Sequence, residues 1–362
     1  MEPVTIGGPP DIPASNRLPS LHRPGLVLLR RIMTVSSVAL LTLIVLVCIF
    51  SKTPGRSLYF FFFGPFLNLY SFGNMLNTSI PLILGGLGIS IAMQTGNLNL
   101  GGEGQIYSGA FVATITALAL APLGFFGGFL ALFAGAFFAG MAAALSGFFK
   151  ARWNTNELIT SFLLSNILIL IVNHLINGPF LDSRTNLQST AKIPAALRLP
   201  LILPPSNLSA ALFIAVAAVA VVYIFIKRTK RGYEFRMAGA NEIFARYGGI
   251  NTRLNTVLAM FLSGVLYGLA GGLAIFGTYY GTVKEFSAGM GWNGLAAALV
   301  AGFFPPAIIP SSLFFAWISS GARSAMQNSD MTFEIAAVVQ SVILFLATGS
   351  ILKKKFRNKD RQ

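Results

Sequence analysis

Polar side chains able to do chemistry concentrate in two glycine-rich segments of an otherwise apolar chain. The first segment, residues 94–105, reads QTGNLNLGGEGQ. Its polar side chains include the amides of Asn97, Asn99 and Gln105 and the carboxylate of Glu103. The second segment, residues 277–291, carries Phe286 and is followed directly by Trp292. Amides, a carboxylate and aromatic rings can hydrogen-bond to a polar solute and stack on it, and they need no covalent step.

The sequence offers no catalytic or metal-binding constellation. It has no paired carboxylates and no Ser/His set of the kind that enzymes use. The single cysteine, Cys48, excludes an internal disulfide and a cysteine-based metal cluster. His22 and His174 lie far apart, and no GxxxxGK[ST] loop is present to bind a nucleotide. We therefore expect a protein that is not an enzyme, with no catalytic residues, no metal ligands and no cofactor of its own.

The composition is that of a membrane protein. Of the 362 residues, 54% are hydrophobic and only 10% are charged, and the mean hydropathy is +0.71. A soluble protein carries about 25% charged residues. Apolar windows of about 20 residues predict spanning helices. We expect an all-α polytopic protein with about ten transmembrane helices, at residues 33–50, 74–93, 105–121, 123–148, 157–177, 207–227, 253–276, 288–304, 307–326 and 332–352. The aromatic run at 58–69 is too short to cross and predicts an interfacial segment.

The basic residues predict the orientation of these spans. The formal net charge is +15, from 26 Lys and Arg against 11 Asp and Glu. If the N-terminus lies inside, inner segments hold 19 of the 26 basic residues and outer segments hold 6. Because cytoplasmic loops carry an excess of Lys and Arg, both termini are expected in the cytoplasm. The chain then divides into an N-terminal tail at 1–32, a transmembrane domain at 33–352 and a basic tail at 353–362. This placement explains the charge without a nucleic-acid partner.

The two glycine-rich segments are related by an internal repeat. The pattern Gly102-x-Gly104 recurs as Gly289-x-Gly291 at an offset of 187 residues, near half the chain. Transporters are often built from two such halves, and helix breaks at membrane depth point to their translocation path. We expect a pseudo-twofold repeat with broken helices. For Glu103 two interpretations stay open: a carboxylate that lines the path or locks a helix, and a loop residue at the inner interface.

The longest predicted inner loop, residues 227–253, contains a candidate docking helix. Asn241 can cap a short helix that ends at Gly248 or Gly249. Ile243, Phe244 and Tyr247 would share one apolar face of that helix. Such a face can lie on the membrane or can insert into a groove of a cytosolic partner.

Three motifs resemble one family of membrane proteins. Residues 97–105, NLNLGGEGQ, followed by Gly109 and Ala110, resemble the NIGxEGQ…GA signature of permease subunits of ABC importers for nucleosides and simple sugars. Residues 156–160, NELIT, resemble the start of that family's next span. Residues 236–251, from Arg236 to Asn251, resemble its coupling loop. Ala238, Phe244 and the Gly101–Gly102 pair depart from the commoner pattern.

The resemblance implies partners that this chain lacks. It implies a second homologous permease, a cytosolic ABC ATPase with two nucleotide-binding cassettes that binds the ATP and Mg, and a substrate-binding lipoprotein outside the inner membrane. The cargo it implies is a nucleoside, with purine nucleosides expected. Two alternatives stay open: a simple-sugar permease for ribose or galactose, and a secondary carrier or channel without an ATPase. The few ionisable residues in the spans disfavour the carrier.

The resemblance also implies roles for individual residues. The expected translocation path comprises Asn97, Asn99, Glu103, Gln105, Phe286 and Trp292. The expected contacts that couple this chain to the ATPase are Arg236, Gly239, Ala240, Asn241, Ala245, Arg246 and Gly248. Contacts with cargo are expected to be weak, without a deep site.

Overall fold

The computed structural model describes residues 51–332 without a gap. Outside that range it describes only residues 37, 41–45, 47–49, 334, 337–338, 341–342 and 345. The helices of the continuous range are α1 Pro54–Phe63, α2 Leu69–Gln94, α3 Gly102–Ala119, α4 Gly124–Trp153, α5 Glu157–Asn177, α6 Ala211–Arg228, α7 Lys230–Ala240, α8 Glu242–Tyr247, α9 Thr252–Ala274, α10 Met290–Val300 and α11 Pro305–Asn328. Extended pairing among the described residues is limited to two isolated bridges. The all-α prediction is confirmed.

Within the described residues, five helical stretches are long and apolar enough to cross a membrane. They are Leu69–Gln94, Ala121–Trp153, Glu157–Asn177, Ala211–Arg228 and Thr252–Tyr279, the last of which includes a π-helical turn after α9. Each coincides with a predicted span. The predicted spans at 105–121 and 307–326 are also helical, as α3 and α11. Half of the first predicted span and two thirds of the tenth lie outside the described residues, so the total of ten stays a prediction.

The predicted span at 288–304 is wrong as a spanning helix. The helix there, α10, has only 11 residues, about 16 Å at 1.5 Å per residue. The chain before it cannot be helical, because Tyr280, Glu285, Ala288 and Gly289 all have positive φ angles. Residues 280–300 therefore consist of a loop followed by a half-length helix.

Local sequence signals set several helix ends. Asn68, Asn156 and Asn251 each accept a hydrogen bond from a backbone N–H in the first turn of α2, α5 and α9. Such side-chain acceptors satisfy amides that have no partner within the helix. At the C-terminal end of α4, Asn154 adopts a left-handed backbone conformation that stops the helix.

The central helix α9 packs tightly through small residues. It contacts α2, α3 and α4. A Cβ on Gly268 would lie only 2.6 Å from the Cβ of Ala139, so glycine allows the close approach of α9 to α4. In contrast, α5 and α6 expose large apolar side chains, including Leu170, Phe213 and Val221. The outer surfaces of these helices therefore suit lipid or another apolar chain.

Two faces of the bundle can be distinguished. The end of α2 meets α7, where a Cβ on Gly239 would overlap the carbonyl oxygen of Gln94. The start of α5 is nearby, since Glu157 pairs with Lys150 at the end of α4, and Lys150 lies in a groove that α7 also lines. We call this end the α7–α8 face and the other end the opposite face.

At the opposite face, Asp330 ties together two distant parts of the chain. Its carboxylate accepts hydrogen bonds from the hydroxyls of Ser51 at 2.7 Å and Thr53 at 2.9 Å, and from the backbone N–H of Lys52. These hydrogen bonds, with that from Ser51 the largest cause, hold the pKa of Asp330 well below its ordinary value. The contact joins the segment before α1 to the segment after α11.

Candidate functional site

The first glycine-rich segment breaks the chain between α2 and α3. After α2 ends at Gln94, residues 95–101 are not helical. Leu100 donates its backbone N–H to the hydroxyl of Ser161 at 3.1 Å, and Gly104 donates to the hydroxyl of Ser165 at 2.8 Å. Because α5 starts at the α7–α8 face, α3 begins inside the bundle and runs toward the opposite face.

The second glycine-rich segment leads into α10, a short helix that runs in the direction opposite to that of α3. Gly294 packs on the backbone of Gly85 in α2, and nearer the end of α2 the hydroxyl of Ser90 donates to the carbonyl of Phe303 at 2.6 Å. Because α2 runs toward the α7–α8 face, α10 also runs toward it. Helices α3 and α10 therefore begin near each other and run in opposite directions, as an inverted repeat would place them. We call them the two half-helices because each begins inside the bundle.

Glu103 joins the two half-helices. Its carboxylate oxygens accept the backbone N–H groups of Gly289 and Gly291, each at 2.9 Å. A Cβ on Gly291 would overlap the backbone nitrogen of Glu103, so the two backbone segments are in contact at this point. A carboxylate at a helix N-terminus satisfies free amides and complements the helix dipole. Glu103 thus lies in the first turn of α3 and caps α10 across the junction.

The junction lies deep in the bundle. Gly104 hydrogen-bonds to Ser165, which is eight residues after the start of α5 at Glu157. At 1.5 Å per residue this is about 12 Å along a helix of about 31 Å. Glu103 is therefore nearer the middle of α5 than its end, and the depth of the 95–104 segment follows from its contacts with that helix.

Asn99 and Gln105 stabilise the break and do not reach open space. The Asn99 amide nitrogen donates to Gln105 at 2.8 Å and to the Ser263 hydroxyl at 3.0 Å, and its oxygen accepts the N–H of Gly101 at 2.9 Å. Both side chains are buried. Asn97 is also buried, donates to Thr95 at 2.6 Å, and leaves its oxygen without a partner in the described structure.

Phe286 and Trp292, the two aromatic residues predicted for the path, lie in different environments. Phe286 is buried, with its ring centroid 5.0 Å from that of Tyr279 and 5.9 Å from that of Tyr107. Trp292 is 39% exposed and contacts Phe162 of α5, with ring centroids 6.2 Å apart. The structure therefore does not bring the six predicted path residues together around one cavity.

A cavity of about 460 Å³ opens at the opposite face. Tyr70 at the start of α2 and Gln327 at the end of α11 line its mouth, and Met290 and Asn293 at the start of α10 line its deep end. Phe286 is the only predicted path residue among those that line it. The cavity thus ends at the helix terminus that Glu103 caps.

The sequence analysis missed several polar residues of this cavity. Asn77, Asn293 and Arg323 line it, and none was selected from the sequence. The signal for Arg323 was present, because it is a charged residue inside the predicted span at 307–326, and such residues mark functional sites by default. The amides carried no comparable signal.

The predicted short helix between Asn241 and Gly248 is confirmed. Asn241 accepts the N–H of Phe244 at 3.0 Å, and α8 runs over Glu242–Tyr247 and ends at Gly248. Arg246 pairs with Glu242 and donates to the hydroxyl of Thr252 at 3.0 Å. Ile243, Phe244 and Tyr247 are 69%, 68% and 89% exposed, so no described residue covers the apolar face of α8.

A groove of about 680 Å³ lies beside α8 on the α7–α8 face. Of the predicted coupling residues, those that line it are Gly239, Ala240, Asn241 and Arg246. Asn97, predicted for the path, also lines it. Among the remaining coupling residues, Ala245 lies on the buried side of α8, Gly248 ends that helix, and Arg236 donates to the carbonyl of Gly232 at 3.4 Å. The groove thus brings α7 and α8 against the 95–101 break.

Within the part of the chain that the structure describes, no group of three His, Cys, Asp or Glu side chains could hold a metal ion. The functional features of the structure are consequently a cavity, a junction of half-helices and a groove.

Comparison with known proteins identifies the family of this chain. Residues 71–348 match the model described as "Branched-chain amino acid transport system / permease component". The chain is 32% identical to the probable riboflavin import permease protein RfuC of Treponema pallidum, over 86% of this chain and 82% of that protein. It is 28% identical to the guanosine ABC transporter permease protein NupP of Bacillus subtilis, over 82% and 88%. It is 31% identical to the glucose ABC transporter permease protein TsgB13 of Haloferax volcanii, over 77% of each chain.

No solved structure matches the chain significantly. The family match covers most of the chain, and the resemblance to permease subunits of ABC importers is confirmed. The chain therefore belongs to the family of permease components of the branched-chain amino acid transport type, and it is a membrane transport subunit.

Proposed function

We propose that this chain is the membrane-spanning permease subunit of an ATP-driven importer that carries nucleosides, with purine nucleosides as the expected cargo. The observation that carries the proposal is the meeting of two oppositely directed half-helices at the deep end of a polar cavity, in a chain of a permease family. The names of the guanosine and nucleoside permeases of Bacillus subtilis and Lactococcus lactis support the cargo.

The contacts support alternating access driven from the α7–α8 face. Gly239 of α7 touches the end of α2 at Gln94, where the 95–101 break begins. That break leads directly to Glu103 and the junction with α10. A pull on α7 and α8 by a closing ATPase would move the break, and through Glu103 it would move the floor of the cavity. Coupling of this kind needs two discrete arrangements of packed elements.

The apolar face of α8 supports docking of a separate ATPase. Ile243, Phe244 and Tyr247 lie on the same face of the bundle as the groove and are exposed in the part of the chain that the structure describes. An exposed amphipathic helix of this type can insert into a partner's groove. ATP and Mg would bind to that partner, a cytosolic ABC ATPase with two nucleotide-binding cassettes. Four of the seven coupling residues proposed from the sequence line the same groove.

A second permease and a binding lipoprotein would complete the importer. Bacillus subtilis has two matching guanosine permeases, NupP and NupQ, and the chain is 26% identical to NupQ. Paired names of this kind support a partner permease that is homologous to this chain. The exposed apolar surfaces of α5 and α6 provide area for that partner or for lipid.

We propose the inner membrane as the location, with the α7–α8 face and both termini in the cytoplasm. Seven Lys and Arg residues lie between 227 and 253, the segment that contains α7 and α8. An excess of basic residues marks the cytoplasmic side. With that orientation the 460 Å³ cavity opens to the outside, where a lipoprotein would deliver cargo.

A simple sugar is the alternative cargo that both the sequence motifs and the name of a relative support. The Haloferax volcanii relative is named a glucose permease and is 31% identical. A simple-sugar permease of the same architecture would share the junction and the groove. The lipoprotein's ligand and the uptake profile would separate the two cargo classes.

The proposal is tested by uptake in a strain that lacks only this protein. We expect labelled guanosine uptake to be lost, to return with the wild-type gene, and to depend on ATP. Labelled glucose measured in parallel serves as the control cargo. Restoration of glucose uptake without guanosine uptake would replace the nucleoside by a sugar, and ATP-independent uptake would reject the importer.

A further inference from the structure

Helix α5 carries an exposed polar side chain near the middle of its length. Asn166 lies nine residues after Glu157, where α5 begins, which is about 14 Å along a helix of about 31 Å. The side chain of Asn166 is exposed. Its amide nitrogen donates to the carbonyl of Phe162 at 2.9 Å, and no described residue donates to its oxygen. Because α5 is long and apolar enough to span a membrane, this amide lies at about the depth of the hydrocarbon centre.

Asn166 belongs to a continuous surface that extends toward the opposite face. Asn173 follows it by seven residues, so the two amides lie within about 20° of each other around α5. The Asn173 oxygen accepts the hydroxyl of Tyr107 at 2.7 Å, and its nitrogen donates to Oε1 of Glu285 at 3.4 Å. Glu285, in the loop before α10, is exposed and makes no ion pair with any described residue.

Two aromatic rings lie at the inner end of this surface. The ring of Phe162, one turn before Asn166, lies 6.2 Å from that of Trp292 at the start of α10, and both rings are partly exposed. Trp292 lies about 160° around α10 from Met290, which lines the 460 Å³ cavity. The surface and the cavity are therefore on different sides of the α10 start. We call this surface the α5 strip, and it consists of Phe162, Asn166, Asn173, Glu285 and Trp292.

Neither lipid nor a dry protein contact suits the α5 strip. Hydrocarbon would leave the Asn166 oxygen without a donor, which is unfavourable. A dry contact with an apolar helix would bury the Glu285 carboxylate, which has no basic partner among the described residues. Water satisfies both groups. Polar side chains within membrane spans almost always face a bundle interior or a water-filled cavity.

We propose that the α5 strip is one wall of a water-filled cleft, and that the second permease of the importer forms the opposite wall. The cleft opens at the opposite face and narrows at Phe162 and Trp292, beside the junction that Glu103 holds. Its amides can donate to and accept from a neutral polar cargo, and its rings can pack on one. The inference rests on the proposed importer and adds Asn166 and Asn173 to its path.

The test is the reactivity of single cysteines in the complete transporter complex in nanodiscs. Cys48→Ser removes the only cysteine of this chain, and Asn166→Cys or Asn173→Cys then places one thiol on the α5 strip. The probe is a methanethiosulfonate reagent with a quaternary ammonium group, which reacts with thiolates in water and does not enter hydrocarbon. The mass of this chain is followed over time, so cysteines of the partner subunits do not contribute to the rate.

The matched control is Ile171→Cys in the same Cys48→Ser background. Ile171 lies between Asn166 and Asn173 along α5, so its depth is bracketed by theirs, and it is 50% exposed. It points about 140° away from Asn166 around the helix. Only the thiolate reacts, and a thiol in hydrocarbon stays protonated, so Asn166→Cys and Asn173→Cys should each react at least about 10-fold faster than Ile171→Cys.

The outcomes separate this inference from the proposed function. Rates at Asn166→Cys and Asn173→Cys similar to that at Ile171→Cys would overturn the cleft, whether lipid or a dry contact covers the strip. Fast reaction at Asn173→Cys alone would confine water to the end of the span and would overturn it too. If Asn166→Cys does not assemble, Phe162→Cys takes its place. These rates need no cargo and no ATP, whereas ATP-independent guanosine uptake would reject the importer and leave the measured cleft standing.

Discussion

Replacing Glu103 by glutamine should loosen the junction between the two half-helices. In the wild type the carboxylate accepts two backbone N–H groups of the α10 terminus, each at 2.9 Å. A glutamine side chain has one acceptor oxygen, and its amino group would face the second N–H. One charge-assisted hydrogen bond is therefore lost, and one buried donor loses its partner.

The magnitude follows from the bonds that are removed. A hydrogen bond to a charged group contributes about 1.5–3 kcal/mol. At 1.4 kcal/mol for each factor of ten, Glu103→Gln should shift the equilibrium between joined and separated half-helices by about 10- to 100-fold. Glu103→Ala removes both bonds and should cost about 3–6 kcal/mol. Gly291→Ala should act at the same place, because its Cβ would overlap the Glu103 backbone.

The assay combines guanosine uptake with thermal unfolding of the complex in nanodiscs. Asp182→Asn is the matched control, since Asp182 also accepts a backbone N–H, from Arg184 at 3.1 Å, but lies in an exposed loop. We expect its effect to stay within about 0.5 kcal/mol. If Glu103→Gln and Gly291→Ala match the wild type in both uptake and unfolding temperature, Glu103 does not hold the junction.

Three further changes test other parts of the account. Phe244→Asp places a charge on the exposed face of α8 and should abolish co-purification of the ATPase while leaving the amount of inserted permease unchanged on a membrane blot. Gly239→Val should reduce ATP-dependent uptake, because its side chain would overlap the carbonyl of Gln94 and push α7 from α2; ATPase activity that stays coupled to full uptake would contradict this. Because the pKa of Asp330 is lowered in the fold, its contribution to stability is present at neutral pH and is lost as the pH falls below its unfolded value of about 3.9. The unfolding temperatures of wild type and Asp330→Asn should consequently converge in acid, and a constant difference down to the lowest pH would be contrary to the prediction.

Features that depend on short-range chemistry were predictable from the sequence. The cap at Asn241 and the stop at Gly248 fixed the ends of α8, because both act within one or two turns. The five long apolar helices also coincide with hydrophobic windows, because lipid selects apolar side chains along the whole length of a span.

Features that depend on distant contacts were not predictable in the same way. The amides that Glu103 accepts come from Gly289 and Gly291, which lie 186 and 188 residues away, so the sequence left the role of Glu103 open. The window at 288–304 is apolar enough to suggest a span. However, the positive φ angles of Ala288 and Gly289 before α10, and of Gly302 and Phe303 after it, leave α10 only 11 residues.

The residues that line the cavity could not be predicted from local sequence patterns either. Asn77 lies in an apolar helix and donates to Thr278 at 2.9 Å across to the turn after α9, a contact that no local pattern encodes. Tyr279, the last residue of that turn, also lines the cavity. The Asn97–Gln105 segment, chosen for its polarity, mainly satisfies the backbone of the break.

The central claim is that this chain conducts cargo under the control of an ATPase bound at the α7–α8 face. The most direct measurement is guanosine uptake into proteoliposomes that contain the full transporter, with the binding lipoprotein outside and ATP supplied inside. We predict accumulation above the external concentration with wild-type α8 and none with Phe244→Asp. Accumulation without ATP, or unchanged accumulation with Phe244→Asp, would contradict the claim.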